Sequence, residues 1–218
     1  MEHAFWQSRW SEGRIGFHRA EPSADLVTHA PASWSPDARV LVPLAGKSVD
    51  LAWLAGRFRE VVGVEFVRAA AVAFFAERGI VPEVRDESGV EVLAHHNLSL
   101  RVQDFLELDP ERVGHFDAAW DRAAIVALPE PTRARYAERL VALMRPGARI
   151  LLASFEYPQA AMAGPPFSVG DEELLALFSP ATTPVRLDRR VVDDRRPPSL
   201  SDDTPIHTSI WSFTRNPR

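Results

Sequence analysis

The chain has no cysteine among its 218 residues. This excludes disulfides, thiolate metal sites and a cysteine nucleophile. It has one lysine, Lys47, so nearly all of its positive charge is arginine. It has no basic excess: 25 Lys and Arg stand against 30 Asp and Glu, a net charge of -5. A nucleic-acid binder would show the opposite balance. No run approaches the ~18 apolar residues that a membrane-spanning helix requires. The opening Met-Glu-His-Ala-Phe-Trp carries neither a charged nor an apolar leader segment. Gly-x-Ser-x-Gly, Walker and Gly-x-Gly-x-x-Gly motifs are all missing, which removes support for hydrolase, NTPase and standard NAD-binding readings. The seven histidines show no metal spacing, and the adjacent His95 and His96 read as solvated, so no metal is expected. A cytosolic, soluble, monomeric protein without nucleic-acid or membrane partners is the resulting expectation.

What is present is ordinary globular composition, 46% hydrophobic and 25% charged, in a length that suits one α/β domain. Apolar periodicity predicts helices over 4–12, 23–30, 48–58, 68–78, 132–144 and 171–178. Ser23 is read as the N-cap of the second, and Pro31 to Pro36 as a loop. Buried strands are predicted over 40–43, 61–65, 98–102, 116–120 and 150–155, and two more over 186–192 and 208–214. The polar stretch 81–97 has room for a small hairpin, and 156–170 is a loop rich in Pro and Gly. Pro146-Gly147 reads as a helix stop. This alternation predicts a doubly wound sheet, whose ligands sit beyond the carboxyl ends of the strands.

The residues just after each strand therefore carry the chemistry. Leu44-Ala45-Gly46 can bring backbone close to a ligand, because Gly46 has no side chain to intervene. Glu65 lies 19 positions after Gly46, close to the ~20 that separates a phosphate-type turn from a ribose-binding acid in nucleotide-binding units. Its carboxylate suits a diol; the competing reading is a solvated strand end. Asp104, beside Gln103, either holds an adenine amino group or caps the following turn. Arg122 either grips a ligand carboxylate or pairs with Asp121 or Asp117. Trp6, Trp10 and Phe17 are either a helix packed on the core or an aromatic lid able to face a cation.

Trp6-Gln-Ser-Arg-Trp10, Gly13-Arg-Ile-Gly-Phe-His18, Val42-Pro-Leu-Ala-Gly-Lys-Ser48, Val62-Gly-Val-Glu65, Phe116-Asp-Ala-Ala-Trp-Asp-Arg122 and Ala163-Gly-Pro-Pro-Phe-Ser168 occur in one order. Together they resemble the thiopurine S-methyltransferase family in its bacterial form, from residue 5 to about residue 175. The resemblance implies a class I methyltransferase fold, Rossmann-like, with a seven-stranded, mostly parallel sheet whose last strand is antiparallel. It implies one methyltransferase domain over 1–218, with 1–36 as a helical lid segment and 37–218 as the sheet core.

It also implies S-adenosyl-L-methionine as methyl donor and S-adenosyl-L-homocysteine as product. Cofactor contacts carry over to Trp10, Leu44, Gly46, Glu65, Gln103, Asp104 and Arg122. Phe17, Arg14 and the Pro165-Pro166-Phe167 loop fall on the acceptor side. The implied acceptor is a small-molecule thiol or a related soft nucleophile, since the family's relatives also treat thiocyanate, halides and tellurium or selenium species. A non-catalytic cofactor-binding domain is the alternative of a different class. No catalytic base is assigned; Asp121 is the only side chain considered for it. The chain departs from the family at Ala45, where cysteine is usual, and over 189–204.

Overall fold

The structure is a computed structural model that describes residues 3–192, 200–201 and 203–217. Its contacts gather into two compact units, Met1–Trp120 and Asp121–Arg218.

In the first unit, α1 (His3–Ser11) and α2 (Ala24–Ser33) precede β1 (Arg39–Val42), α3 (Val49–Ala55), β2 (Glu60–Val64) and α4 (Arg68–Ala76). They are followed by β3 (Glu83–Asp86), β4 (Glu91–His95), β5 (Leu98–Val102), α5 (Pro110–Val113) and β6 (Phe116–Arg122), which ends two residues past the unit boundary. The strands lie in the order β3-β4-β5-β2-β1-β6. β5, β2, β1 and β6 are parallel neighbours, in register at Val61↔Leu98, Val40↔Val61 and Val40↔Ala118. Burial explains that block: Val40, Leu41, Val61, Val64 and Leu100 are fully enclosed, as expected of strands covered on both faces. Chain order reverses beside β1, which makes the segment after Val42 the switch point where such sheets bind ligands.

Buried Asp50, in the first turn of α3, ties this region together. It accepts the Ser23 N–H at 2.8 Å and the Trp120 indole N–H at 2.9 Å. Ser48 caps the same helix, its hydroxyl accepting the Asp50 N–H. Ser23 does stand at the N-cap of α2, but its side chain makes no capping bond there.

In the second unit, α6 (Glu130–Ala142) leads to β7 (Met144–Ala153), α7 (Asp171–Phe178), β8 (Thr182–Val191) and β9 (His207–Arg215). β9 lies between β7 and β8, antiparallel to both, so the last strand has the expected sense. Phe178 of α7 stacks on Phe213 of β9 at 4.7 Å, both fully buried.

Three expectations are corrected. The described residues form nine strands, not seven, because the polar stretch before β5 folds into the β3–β4 hairpin and pairs antiparallel with it. α2 continues through Pro31 to Ser33, since the missing proline N–H falls opposite the carbonyl of Val27, a solvent-exposed residue. β7 begins at Met144 and takes in Pro146-Gly147; these residues are exposed and precede the ladder with β9, which starts at Arg149. Of the divergent tail 189–204, residues 193–199 and 202 lie outside the described residues.

Candidate cofactor site

The loop after β1 has an unusual backbone. Leu44 and Gly46 both adopt left-handed conformations, at φ 47° and 54°. For glycine this is free; for leucine it costs on the order of 1–2 kcal/mol. Such strain persists where surrounding bonds over-determine the chain, and it clusters at functional sites. The bonds here are Ala45 N–H to the Val64 carbonyl at 2.9 Å and Ser48 N–H to the Ala45 carbonyl at 3.1 Å. Ala45 itself is buried, and its Cβ lies 3.2 Å from where a Cβ on Gly63 would stand. Position 45 therefore faces the strands.

Glu65 closes the loop from below. One carboxylate oxygen accepts the Gly46 N–H at 2.9 Å and the other accepts the Val67 N–H at 2.7 Å. The residue is 6% exposed. Burial pushes its pKa up to about 7, against the opposing pull of the N–H groups of Val67, Gly46 and Phe66. Glu65 is thus no solvated strand end. Each carboxylate oxygen has a second acceptor site, so the group can hold the loop and still accept from two hydroxyls.

The Trp10 indole covers Gly46: a Cβ at position 46 would come within 3.1 Å of Trp10 Cζ2. Phe17 meets Trp10 edge-on at 5.8 Å and Trp6 at 5.9 Å. The three rings form one cluster of half-buried aromatics. Arg14 is exposed in the loop after α1, where it ion-pairs with Glu12 at 2.6 Å and donates to the Ser8 hydroxyl at 3.3 Å.

At the end of β5, Gln103 is half-buried and its N–H reaches the Arg101 carbonyl at 3.2 Å. Asp104 Oδ1 caps the next turn by accepting the Leu106 N–H at 2.9 Å. Its Oδ2 lies 3.0 Å from His3 Nε2. Capping accounts for one oxygen and leaves the other directed at a side chain.

Arg122 ends β6, half-buried, and the next residue, Ala123, is left-handed at φ 63°. Asp121 beside it is fully buried. It accepts the Tyr136 hydroxyl at 2.7 Å and the N–H groups of Ala124 and Ile125 at 3.3 and 3.2 Å. Burial raises its pKa to about 6, while these donors pull it down. Asp121 is therefore the brace of a turn rather than an accessible base.

The loop 156–170 is pinned from several sides. The Tyr157 hydroxyl donates to the Pro166 carbonyl at 2.6 Å, and Phe167 N–H to the Val126 carbonyl at 2.6 Å. Arg133 holds the Ser168 carbonyl at 3.2 Å and the Glu173 carboxylate at 2.7 Å. Glu156, at the start of this loop, pairs with Arg189 at 2.8 Å.

Sequence reasoning missed two residues, Phe66 and His3. Phe66 follows the ribose-type acid directly, so its position was available as a signal. The His3 ring stacks on it at 4.5 Å, and no pattern in the sequence announces that contact. Among the described residues, no cluster of three or more His, Asp or Glu side chains could hold a metal ion, and no helix is long and apolar enough to cross a membrane.

The residues fit an adenosine-bearing methyl donor: a buried acid for a diol, a glycine under an indole, and a carboxylate at the next strand end. The fold agrees. A Burkholderia thailandensis 1,6-didemethyltoxoflavin-N1-methyltransferase, solved with its substrate and S-adenosylhomocysteine, superposes with TM-score 0.67, covering 98% of this chain and 87% of that one at 21% identity. An arsenic(III) S-adenosylmethionine methyltransferase from Chlamydomonas reinhardtii superposes with TM-score 0.62 over 91% and 75% of the two chains, at 17% identity. The fold is that of the class I methyltransferases.

The sequence narrows this further. The sequence model of the thiopurine S-methyltransferase family matches residues 1–207. A Pseudomonas putida thiopurine S-methyltransferase is 47% identical over 180 residues, 82% of this chain and 83% of that one. One from Bordetella parapertussis is 41% identical over 198 residues, 90% of each chain. The chain belongs to the thiopurine S-methyltransferase family, whose methyl donor is S-adenosylmethionine.

Proposed function

We propose that this protein transfers a methyl group from S-adenosylmethionine to a small-molecule thiol or related soft nucleophile, as a single monomeric methyltransferase domain in the cytosol. The cofactor contacts in this reading are Trp10, Leu44, Gly46, Glu65, Gln103, Asp104 and Arg122; Phe17 and Arg14 face the acceptor. The observation that carries it is the Glu65 carboxylate, buried at the end of β2 and bonded to the N–H groups of Gly46 and Val67, with Trp10 over the glycine. The relatives' name makes a heteroaromatic thiol such as a thiopurine the first acceptor to test.

Bound there, S-adenosylmethionine supplies a methyl group on a positively charged sulfur. The chain's part is to position and to exclude water. Glu65 would anchor the ribose and so fix the rest of the donor relative to the loop. The Trp6–Trp10–Phe17 cluster offers aromatic faces of the kind that attract a cation within ~6 Å, and its bulk keeps water from the reacting atoms. An acidic thiol arrives largely as thiolate, so no protein base is needed. That fits a reading in which the two buried carboxylates, Glu65 and Asp121, are already committed to backbone groups.

The test is a calorimetric titration with S-adenosylhomocysteine, followed by product formation with thiols, halides and tellurite. Micromolar binding with methylation of at least one thiol is expected. Binding without turnover on any acceptor would favour a non-catalytic cofactor binder. No binding by a folded sample would reduce the reading to a statement of fold.

A further inference from the structure

The chain folds a nitrogen heterocycle of its own into the cofactor site. The imidazole of His3, at the start of α1, lies flat on Phe66, with ring centroids 4.5 Å apart and planes 18° from parallel. Its Nε2 is 3.0 Å from Asp104 Oδ2. Phe66 is the residue after the proposed ribose acid, and Asp104 is the carboxylate at the end of the adjacent strand β5. A flat nitrogenous ring thus has one face on an aromatic and one edge on a carboxylate, next to Glu65. An adenine whose ribose is held by Glu65 would make the same two contacts: a stacked face, and an amino edge donating to Asp104.

We infer that His3 is an internal stand-in for adenine, occupying the base subsite until the cofactor displaces it. The inference rests on the cofactor reading above. Two further observations fit it. His3 is 51% exposed while Asp104 is only 15% exposed, so the ring is the removable partner of a largely covered carboxylate. α1 has no fully buried residue, so its first turn can release His3 without opening a core. Trp10, seven positions along the same helix, covers Gly46, so both ends of α1 lie over the proposed site. Leaving the subsite would therefore uncouple the start of α1 from the strands while its far end stays over the glycine loop.

A competitor on the same chain lowers apparent affinity by the fraction of molecules in which it has let go. One ring stack with one hydrogen bond sets that handicap at about 5- to 30-fold. The experiment is calorimetry of S-adenosylhomocysteine with the full chain and with His3→Ala, and the same comparison with adenosine alone. His3→Ala is expected to bind both ligands about 5- to 30-fold more tightly. Unchanged or weaker binding by His3→Ala, with the parent chain binding normally, would overturn the inference and leave the cofactor reading intact. Failure of the parent chain to bind S-adenosylhomocysteine would remove both.

A second measurement does not depend on the variant. The His3 ring protons should be shifted by the Phe66 ring current in the ligand-free chain, and should move to the values of a solvated histidine when S-adenosylhomocysteine saturates the site. A His3 signal indifferent to ligand would sink the proposal.

Discussion

At the scale of the residue, the proposed role of Glu65 as ribose acid predicts how cofactor binding depends on pH. Its carboxyl sits at a pKa of about 7 because it is buried. Hydroxyl donors from a ribose favour the ionised form, so binding must lower that value. Below about pH 7 the acid must give up its proton before it can accept from both hydroxyls. Affinity for S-adenosylhomocysteine should therefore fall by up to about tenfold per pH unit as pH drops through 7, with proton release on binding. Calorimetry in buffers of different ionisation enthalpy reads both effects. Glu65→Gln should weaken binding by about 1.5–3 kcal/mol above neutrality and flatten the pH profile; an undiminished slope would assign it to another group. Gly46 is a second such position. Gly46→Ala puts a Cβ 3.1 Å from the Trp10 ring on a backbone at φ 54°, and should cost about 1–2 kcal/mol in denaturant unfolding. The spacing of Gly46 and Glu65 was legible in the sequence, because strand ends and a lone glycine leave a signature. Their mutual hydrogen bond was not, since spacing says nothing of where a carboxylate points.

At the scale of the element, the turn after β6 depends on a pair that the sequence conceals. Asp121 and Tyr136 lie 15 positions apart, one next to the end of β6 and the other inside α6. Only the fold brings the phenol to the carboxylate that holds the Ala124 and Ile125 N–H groups, and with them the chain just beyond Arg122. The native pKa of Asp121, about 6, lies above its ordinary 3.8. The native state therefore binds that proton more tightly than the unfolded chain, and this group's contribution to stability falls as pH rises between those values. Tyr136→Phe removes a donor to the ionised form. It should destabilise by about 1–3 kcal/mol above pH 7, with the loss shrinking toward pH 4, as urea unfolding at several pH values would reveal. A loss independent of pH would mean that the phenol acts through packing alone. Strand and helix types were otherwise readable from apolar period. The misreadings fell at Pro31 and Pro146, where proline marks a break only if its missing N–H would have been buried and needed.

At the scale of the whole molecule, binding and stability are linked. A ligand at about 100 times its dissociation constant adds ~2.7 kcal/mol to the native state. For a chain of this size that raises the melting midpoint by roughly 5–10 °C. Thermal scans with and without S-adenosylhomocysteine should show it, and Glu65→Gln should shrink the shift. The fold class was legible because buried parallel strands alternate with amphipathic helices. The β3–β4 hairpin was only half legible: its strands are short, and every residue of β3 is exposed, so hydrophobic burial leaves almost no pattern there. His3 on Phe66 was not legible at all, because a ring stack between the first helix and the second strand's end has no local signal.

Ala45 carries a practical consequence. The residue in the loop between Leu44 and Gly46 is turned toward Gly63, and neither it nor any other side chain in the protein is a thiol. An enzyme for thiol acceptors built this way cannot form mixed disulfides with its own substrates, cannot consume a labelled methyl group on a cysteine of its own, and is indifferent to thiol-specific alkylating reagents. Added reductants or oxidants then act on the acceptor and not on any protein thiol, so the redox state of a sulfur substrate can be varied in the assay without poisoning a cysteine of the catalyst.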